Sequence, residues 1–135
     1  MFDVELELAP GQFTVAQVTS PAEAAALLSQ RLAGPVFVAA TGDEVSVVCP
    51  ASATPGAALK REDGWSLLRV RGQLDFGLVG VLAKLTGALA GAGLPVFAVS
   101  TFDTDYLLVK TADLVRARQA LAAAGVPSHD AVHAP

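Results

Sequence analysis

The chain of 135 residues has a single cysteine, Cys49, so no internal disulfide can form and a cytoplasmic setting with reduced thiols is expected. Cations are scarce and scattered: 9 Lys and Arg stand against 13 Asp and Glu, and only Lys60 and Arg61 are adjacent. Nucleic acid is bound by clustered cations that release counterions from phosphates, so the composition argues against that class of partner. Long hydrophobic runs are also missing. The most apolar segment, Leu78 to Ser100, is interrupted by Lys84, Gly91, Gly93 and Pro95, which argues against a membrane span. The opening MFDVELELAP is acidic and has neither a basic region nor a signal-type cleavage site, so export is not expected. His129 and His133 stand four apart, but their setting reads as a tail and not as a zinc site.

What is present is apolar: 53% of residues are hydrophobic and 16% charged, an excess that an extensive core or a subunit interface would absorb. Val4 to Leu8 and Phe13 to Val18 alternate on either side of Pro10-Gly11 and read as a β-hairpin. Thr19-Ser20-Pro21 supplies a helix start, with Glu23 suited to the positive end of the dipole; the helix is expected to reach Leu32 and close at Gly34-Pro35. Val36 to Ala40 and Val45 to Cys49, around Thr41-Gly42-Asp43-Glu44, form a second hairpin. Pro50 to Asp63 is rich in turn formers and reads as either a loop between two halves or an eroded helix around Gly56 to Arg61, and the boundary between the halves, 1–62 and 63–135, is placed there.

The second half is cleaner. Trp65 to Arg71 reads as a strand with one well-buried face, and Trp65 itself as packing. Asp75 can cap a helix whose apolar face is Leu78, Leu82, Leu85 and Leu89, stopped by Gly93 and Pro95. Pro95 to Ser100 and Tyr106 to Lys110 are strands. Thr111 and Asp113 open a last helix with Leu114, Ala117, Leu121 and Ala124 on one side, and Val126 to Val132 suggests an edge strand. The order is βαββαβ, an α+β, ferredoxin-like arrangement with an antiparallel sheet and helices on one face. TGDEVSVVC in the first half matches TFDTDYLLVK in the second, which points to a tandem duplication in which the first copy is reduced.

Several residues invite sharper chemistry. Gly87, Gly91 and Gly93 lie at the end of a helix and not between strand and helix, so they read as close helix-to-sheet packing and not as a phosphate loop. Asp103 and Asp105 lack the bend glycine and distal Glu of a calcium loop. Cys49, on an apolar strand, reads as buried and inert. Glu44 with Asp103 is a conceivable acid-base pair, but no nucleophile, base and orienting group can be assembled, so no catalytic residues, metal or cofactor are expected.

The run LDFGLVGVLAKLTGALAGAGLPVFAVSTFDTDYLLVK, together with Trp65 and TGDEVSVVC, resembles the small bacterial proteins built of two ACT-like domains and the ACT pairs of the animal arginine sensors. The resemblance implies ferredoxin-like units and a regulatory role in binding small molecules, commonly amino acids, at an interface between ACT units. Carried over by position, the ligand-binding residues are Asp75, Phe76, Gly77, Leu78, Val79 and Gly80 at the first-helix turn. Ser100, Thr101, Phe102, Asp103 and Thr104 follow at the second strand, with Thr41, Glu44 and Ser46 from the first half. Independently, a helix N-terminus suits a ligand carboxylate, an Asp suits an ammonium, and Gly77 and Gly80 let backbone approach closely. Asp75 is equally accounted for as a cap, and Phe76 and Phe102 as core or interface aromatics.

The expectation is therefore a non-catalytic, ligand-binding regulatory protein, a homodimer with a regulated protein partner. A competing reading is an interaction or structural module with no ligand, motivated by the apolar excess.

Overall fold

The computed structural model describes residues 4–71 and 79–131. Eight strands are present among them: β1 (Leu6–Leu8), β2 (Phe13–Val18), β3 (Phe37–Ala40), β4 (Val45–Pro50), β5 (Lys60–Val70), β6 (Phe97–Ser100), β7 (Asp105–Lys110) and β8 (Ser128–Asp130). The helices are α1 (Pro21–Leu28), α2 (Val81–Gly91) and α3 (Leu114–Ala123), with 3-10 turns at Ala51–Ala53 and Thr111–Asp113. The chain divides into two compact units, a middle one of Gly11–Trp65 and a flanking one of Met1–Pro10 with Ser66–Pro135. That division falls inside β5, three residues after the boundary read from the sequence, and it assigns the first ten residues to the flanking unit.

In the middle unit the strand order is β3-β4-β2-β5. The expected hairpin of β3 and β4 is present, with Phe37 opposite Val48 and Ala40 opposite Val45. α1 carries Pro21 at its first position and buries Ala24 and Leu27 against Ala16, Val18, Val47 and Cys49. Its start is held by Glu23, whose carboxylate accepts from the Thr19 amide at 2.7 Å and from the Thr19 hydroxyl, while Ser20 makes no side-chain cap. These bonds hold the Glu23 carboxyl below the usual glutamate value. The helix ends at Leu28, not Leu32. Leu28 is exposed and Ser-Gln-Arg follows, so the apolar face stops, and the Ser29 hydroxyl donates to the Ala26 carbonyl at 2.9 Å.

Where a second helix would follow, the middle unit has only Ala51–Ala53. Thr54 is extended (φ −61°, ψ 127°) ahead of Pro55, because a residue before proline is driven from the helical region. The segment up to Asp63, read as a loop or an eroded helix around Gly56 to Arg61, is in part strand: Lys60–Glu62 pairs with β2, Gln17 facing Lys60 and Val15 facing Glu62. Residues 60–63 are charged and exposed, so backbone pairing holds them and no burial pattern marks them in the sequence. The register slips between Phe13 and Val15, beside Gly64 at φ +81°, a conformation that favours glycine.

In the flanking unit the order is β6-β7-β5-β1-β8. The hairpin expected between β1 and β2 is absent. β1 instead pairs antiparallel with β5 (Leu6 opposite Val70) and parallel with β8 (Leu6 opposite Ser128). Short alternating strands do not name their partner; Leu6 is fully buried in this unit's core, and that burial decides the pairing. β6 and β7 also pair antiparallel, so of these pairs β1–β8 is the parallel one. Leu68, Val70, Leu107 and Val109 meet Val81, Leu85, Leu89, Ala117 and Leu121 in one core, which places both helices on one face.

The buried stripe of α2 is Val81, Leu85 and Leu89, with Leu82 only half-buried, and Gly80 precedes the helix as its N-cap; Asp75 and Leu78 lie outside the described residues. Both helices end in the same way. The amides of Gly93 and Leu94 donate to Ala90 and Leu89, those of Gly125 and Val126 to Ala122 and Leu121, and both glycines have positive φ. These are Schellman ends, with Leu94 and Val126 buried. A Cβ at Gly87 or Gly91 would meet nothing within 4 Å, so these glycines do not serve close helix-to-sheet packing.

Candidate ligand-binding site

β5 ends at Val70, where its last groups are tied to two neighbours. The Thr104 hydroxyl, 4% exposed, donates to the Val70 carbonyl at 2.9 Å, and the Arg71 amide donates to the Glu5 carbonyl at 2.9 Å. The β6–β7 turn therefore sits at the end of the strand that leads into the helix-start turn. Within it, the Thr101 amide donates to the Thr104 carbonyl at 2.9 Å, the Thr101 hydroxyl donates to the same oxygen at 3.1 Å, and Ser100 Oγ donates to Asp105 Oδ1 at 2.6 Å. Phe102 and Asp103 occupy the exposed tip, Phe102 at 77% exposure. Val79 is 85% exposed, and Gly80, at φ +88°, leads into α2 in a conformation that a side chain would strain.

The structure brings Ser100, Thr101, Phe102, Asp103 and Thr104 together in one turn. Asp75, Phe76, Gly77 and Leu78 lie outside the described residues. Thr41, Glu44 and Ser46 belong to the middle unit, where Thr41 repeats the role of Thr101: its amide donates to the Glu44 carbonyl at 2.9 Å and its hydroxyl accepts from the Glu44 amide at 3.2 Å. The Ser46 hydroxyl donates to the Glu44 carboxylate. Elements 37–40, 45–50 and 51–53 recur sixty positions later at 97–100, 105–110 and 111–113, which carries the internal repeat into three dimensions.

Sequence reasoning missed a concavity of about 450 Å³ in the flanking unit, lined by Val4, Glu5, Arg71, Gly125 and Pro127. Arg71 Nη1 lies 3.4 Å from Glu5 Oε2 and its Nε 3.7 Å from Glu7 Oε2, while His129 Nε2 lies 3.5 Å from Glu5 Oε1. The acidic alternation of VELEL was visible, but its meeting with Arg71 follows only from the pairing of β1 with β5. A smaller concavity of about 260 Å³ in the middle unit includes Gln17, Ser46, Lys60 and Arg61 in its lining. Cys49 is buried, and burial pushes its thiol up, against the pull of the Thr54 hydroxyl at 3.7 Å and of Arg61. Among the described residues no three His, Cys, Asp or Glu side chains converge as metal ligands, and no helix is long and apolar enough to cross a membrane.

Residues 60–123, from the start of β5 to the end of α3, match the family model of the ACT domain. Residues 60–123 are an ACT domain. ACT domains serve regulation through small molecules, and that is the role the family supports here. This ACT-domain protein is similar over 100% of its length, and 98% of the other chain, to an Agobacterium tumefaciens protein at 29% identity and a TM-score of 0.83. A Vibrio cholerae protein of unknown function matches at 19% identity and a TM-score of 0.68, with 90% of each chain covered. The ligand-free regulatory subunit of aspartate kinase from Thermus thermophilus matches at 11% identity and a TM-score of 0.61, over 88% of this chain and 95% of that one, a likeness of fold. No curated protein matches the sequence. The expected α+β, ferredoxin-like fold and the ACT resemblance both stand.

Proposed function

We propose that this ACT-domain protein is a non-catalytic cytoplasmic regulator that binds an amino acid at the polar turn side of its ACT domain. The observation that carries the reading is the Thr104–Val70 hydrogen bond, which fixes the Ser100–Thr104 turn to the end of the strand preceding the helix start. In the resemblance the ligand is held by the turn between the first strand and first helix, here Asp75, Phe76, Gly77, Leu78, Val79 and Gly80, and by the end of the second strand with its turn, here Ser100 to Thr104. The start of α2 supplies amides and partial positive charge for a carboxylate, and Asp103 supplies a carboxylate for an ammonium. Binding would act on a partner only through different affinities for two arrangements of the protein.

Titration calorimetry against each of the twenty amino acids tests this. Saturable heat with at least one of them, weakened in D103A and T101A, is expected; no heat with any at millimolar concentration would overturn the reading. A second reading, as an interaction module or homodimer, draws on β3 and β6, edge strands of sequence FVAA and FAVS that carry no charge and leave Val38 and Phe97 exposed. Sedimentation of the ligand-free chain separates dimer from monomer, and V38K with F97K would dissociate a dimer built on those edges.

A further inference from the structure

The concavity of Val4, Glu5, Arg71, Gly125 and Pro127 lies where β1 begins, β5 ends and α3 passes into β8. Its backbone frame is pinned on three sides. The Leu6 amide donates to the Pro127 carbonyl at 2.9 Å, the Arg71 amide donates to Glu5 at the same distance, and the Schellman end of α3 fixes Gly125 at φ +86°. A Cβ on Gly125 would meet nothing within 4 Å, so this wall is open to an incoming group. Val4 and Pro127 are apolar, and the charge comes from Glu5 and Arg71. β1 and β7 flank β5 on opposite sides, and the concavity is lined from the β1 side, by Val4 and Glu5, and not by the Ser100–Thr104 turn.

The two charges hold each other loosely. Arg71 Nη1 to Glu5 Oε2, at 3.4 Å, is well beyond the length of a strong charge-assisted bond, and both side chains are about half exposed (47% and 49%). Such a pair contributes about 0–1 kcal/mol, so a ligand that inserts between the partners gives up little. A lone anion would meet Glu5 and Glu7 as well as Arg71, and a lone amine would meet the guanidinium. A molecule with carboxylate and ammonium on one carbon satisfies both, and about 450 Å³ lies within the span of small-molecule sites.

We infer that this concavity is a second binding place for a small zwitterion of the amino-acid class, its carboxylate on the Arg71 guanidinium and its ammonium on the Glu5 carboxylate. The inference rests on the reading of the protein as an amino-acid binder and adds contacts on the other side of β5. The test is amide chemical-shift mapping of the full ¹⁵N-labelled chain titrated with each of the twenty amino acids, with acetate and with methylammonium.

At least one amino acid is expected to shift the amides of Glu5, Arg71, Gly125 and Val126, and acetate and methylammonium to do so at least tenfold more weakly. R71Q and E5Q should each weaken this response at least tenfold while keeping the ligand-free melting temperature, and T101A should leave it unchanged. Shifts confined to Ser100–Asp105 would overturn this site and leave the amino-acid reading intact. Shifts nowhere would overturn both. Equal response to acetate, or an unchanged response in the well-folded R71Q and E5Q chains, would overturn the zwitterion assignment.

Discussion

Thr104 shows how a polar side chain serves the fold and the candidate site together, since its buried hydroxyl satisfies the carbonyl at the end of β5. T104V would keep the shape and leave that carbonyl unpaired, a loss of about 1–3 kcal/mol in urea denaturation, with T104S recovering part of it. An unchanged midpoint in T104V would detach the turn from β5. Cys49 makes the opposite case of a reactive atom kept out of use. With its thiol pushed up by burial, it should react slowly with a disulfide reagent at neutral pH and promptly once the chain is unfolded. The turns that open at Thr41 and Thr101 were legible because each separates two apolar, strand-like runs; the hydrogen bonds that the two threonines make within them were not. The meeting of Arg71 with Glu5 was not, because sixty-six positions separate them and a strand pairing brings them together.

At the scale of elements, the stops of α2 and α3 were easy to read, unlike that of α1. Gly-Leu-Pro at 93–95 and Gly-Val-Pro at 125–127 announce two Schellman ends, and replacing either glycine by alanine should cost about 1 kcal/mol, because alanine is strained at positive φ. Gly87, inside α2 with free space around it, should behave in the opposite way: G87A is expected to stabilise the protein by about 0.5–1 kcal/mol, and a loss of stability would mean that the helix is closely packed there. The start of α1 depends on an ionised Glu23. Because its folded value is lowered, its contribution is complete above the ordinary glutamate value and disappears as pH falls through the lowered one, so E23Q should remove that acid-side dependence of α1. The strand character of Lys60–Asp63 had no signal in the sequence, since four charged residues bury no face and pairing with β2 helps to order them.

For the whole molecule, the decisive feature is β1, which lies between β5 and β8 although the local pattern from Val4 to Val18 suggested a hairpin with β2. A chain beginning at Gly11 should therefore lose hydrogen-exchange protection at Arg71 and Ala131, whose amides bond to Glu5 and Leu8, and keep it between β2 and β4. Loss confined to β2 would restore the hairpin. The ferredoxin-like architecture and the ACT family were legible because helix, turn and hairpin follow one another in the C-terminal half with their stop signals intact; the strand shared by two units and the inserted β1 were not, because both are long-range pairings. Amino-acid binding by this ACT-domain protein is measured by a thermal-shift screen. A ligand at a hundred times its dissociation constant adds about 2.7 kcal/mol, which should raise the melting midpoint by roughly 5–10 °C for at least one of the twenty amino acids; an unmoved midpoint with all of them at millimolar concentration would contradict such binding.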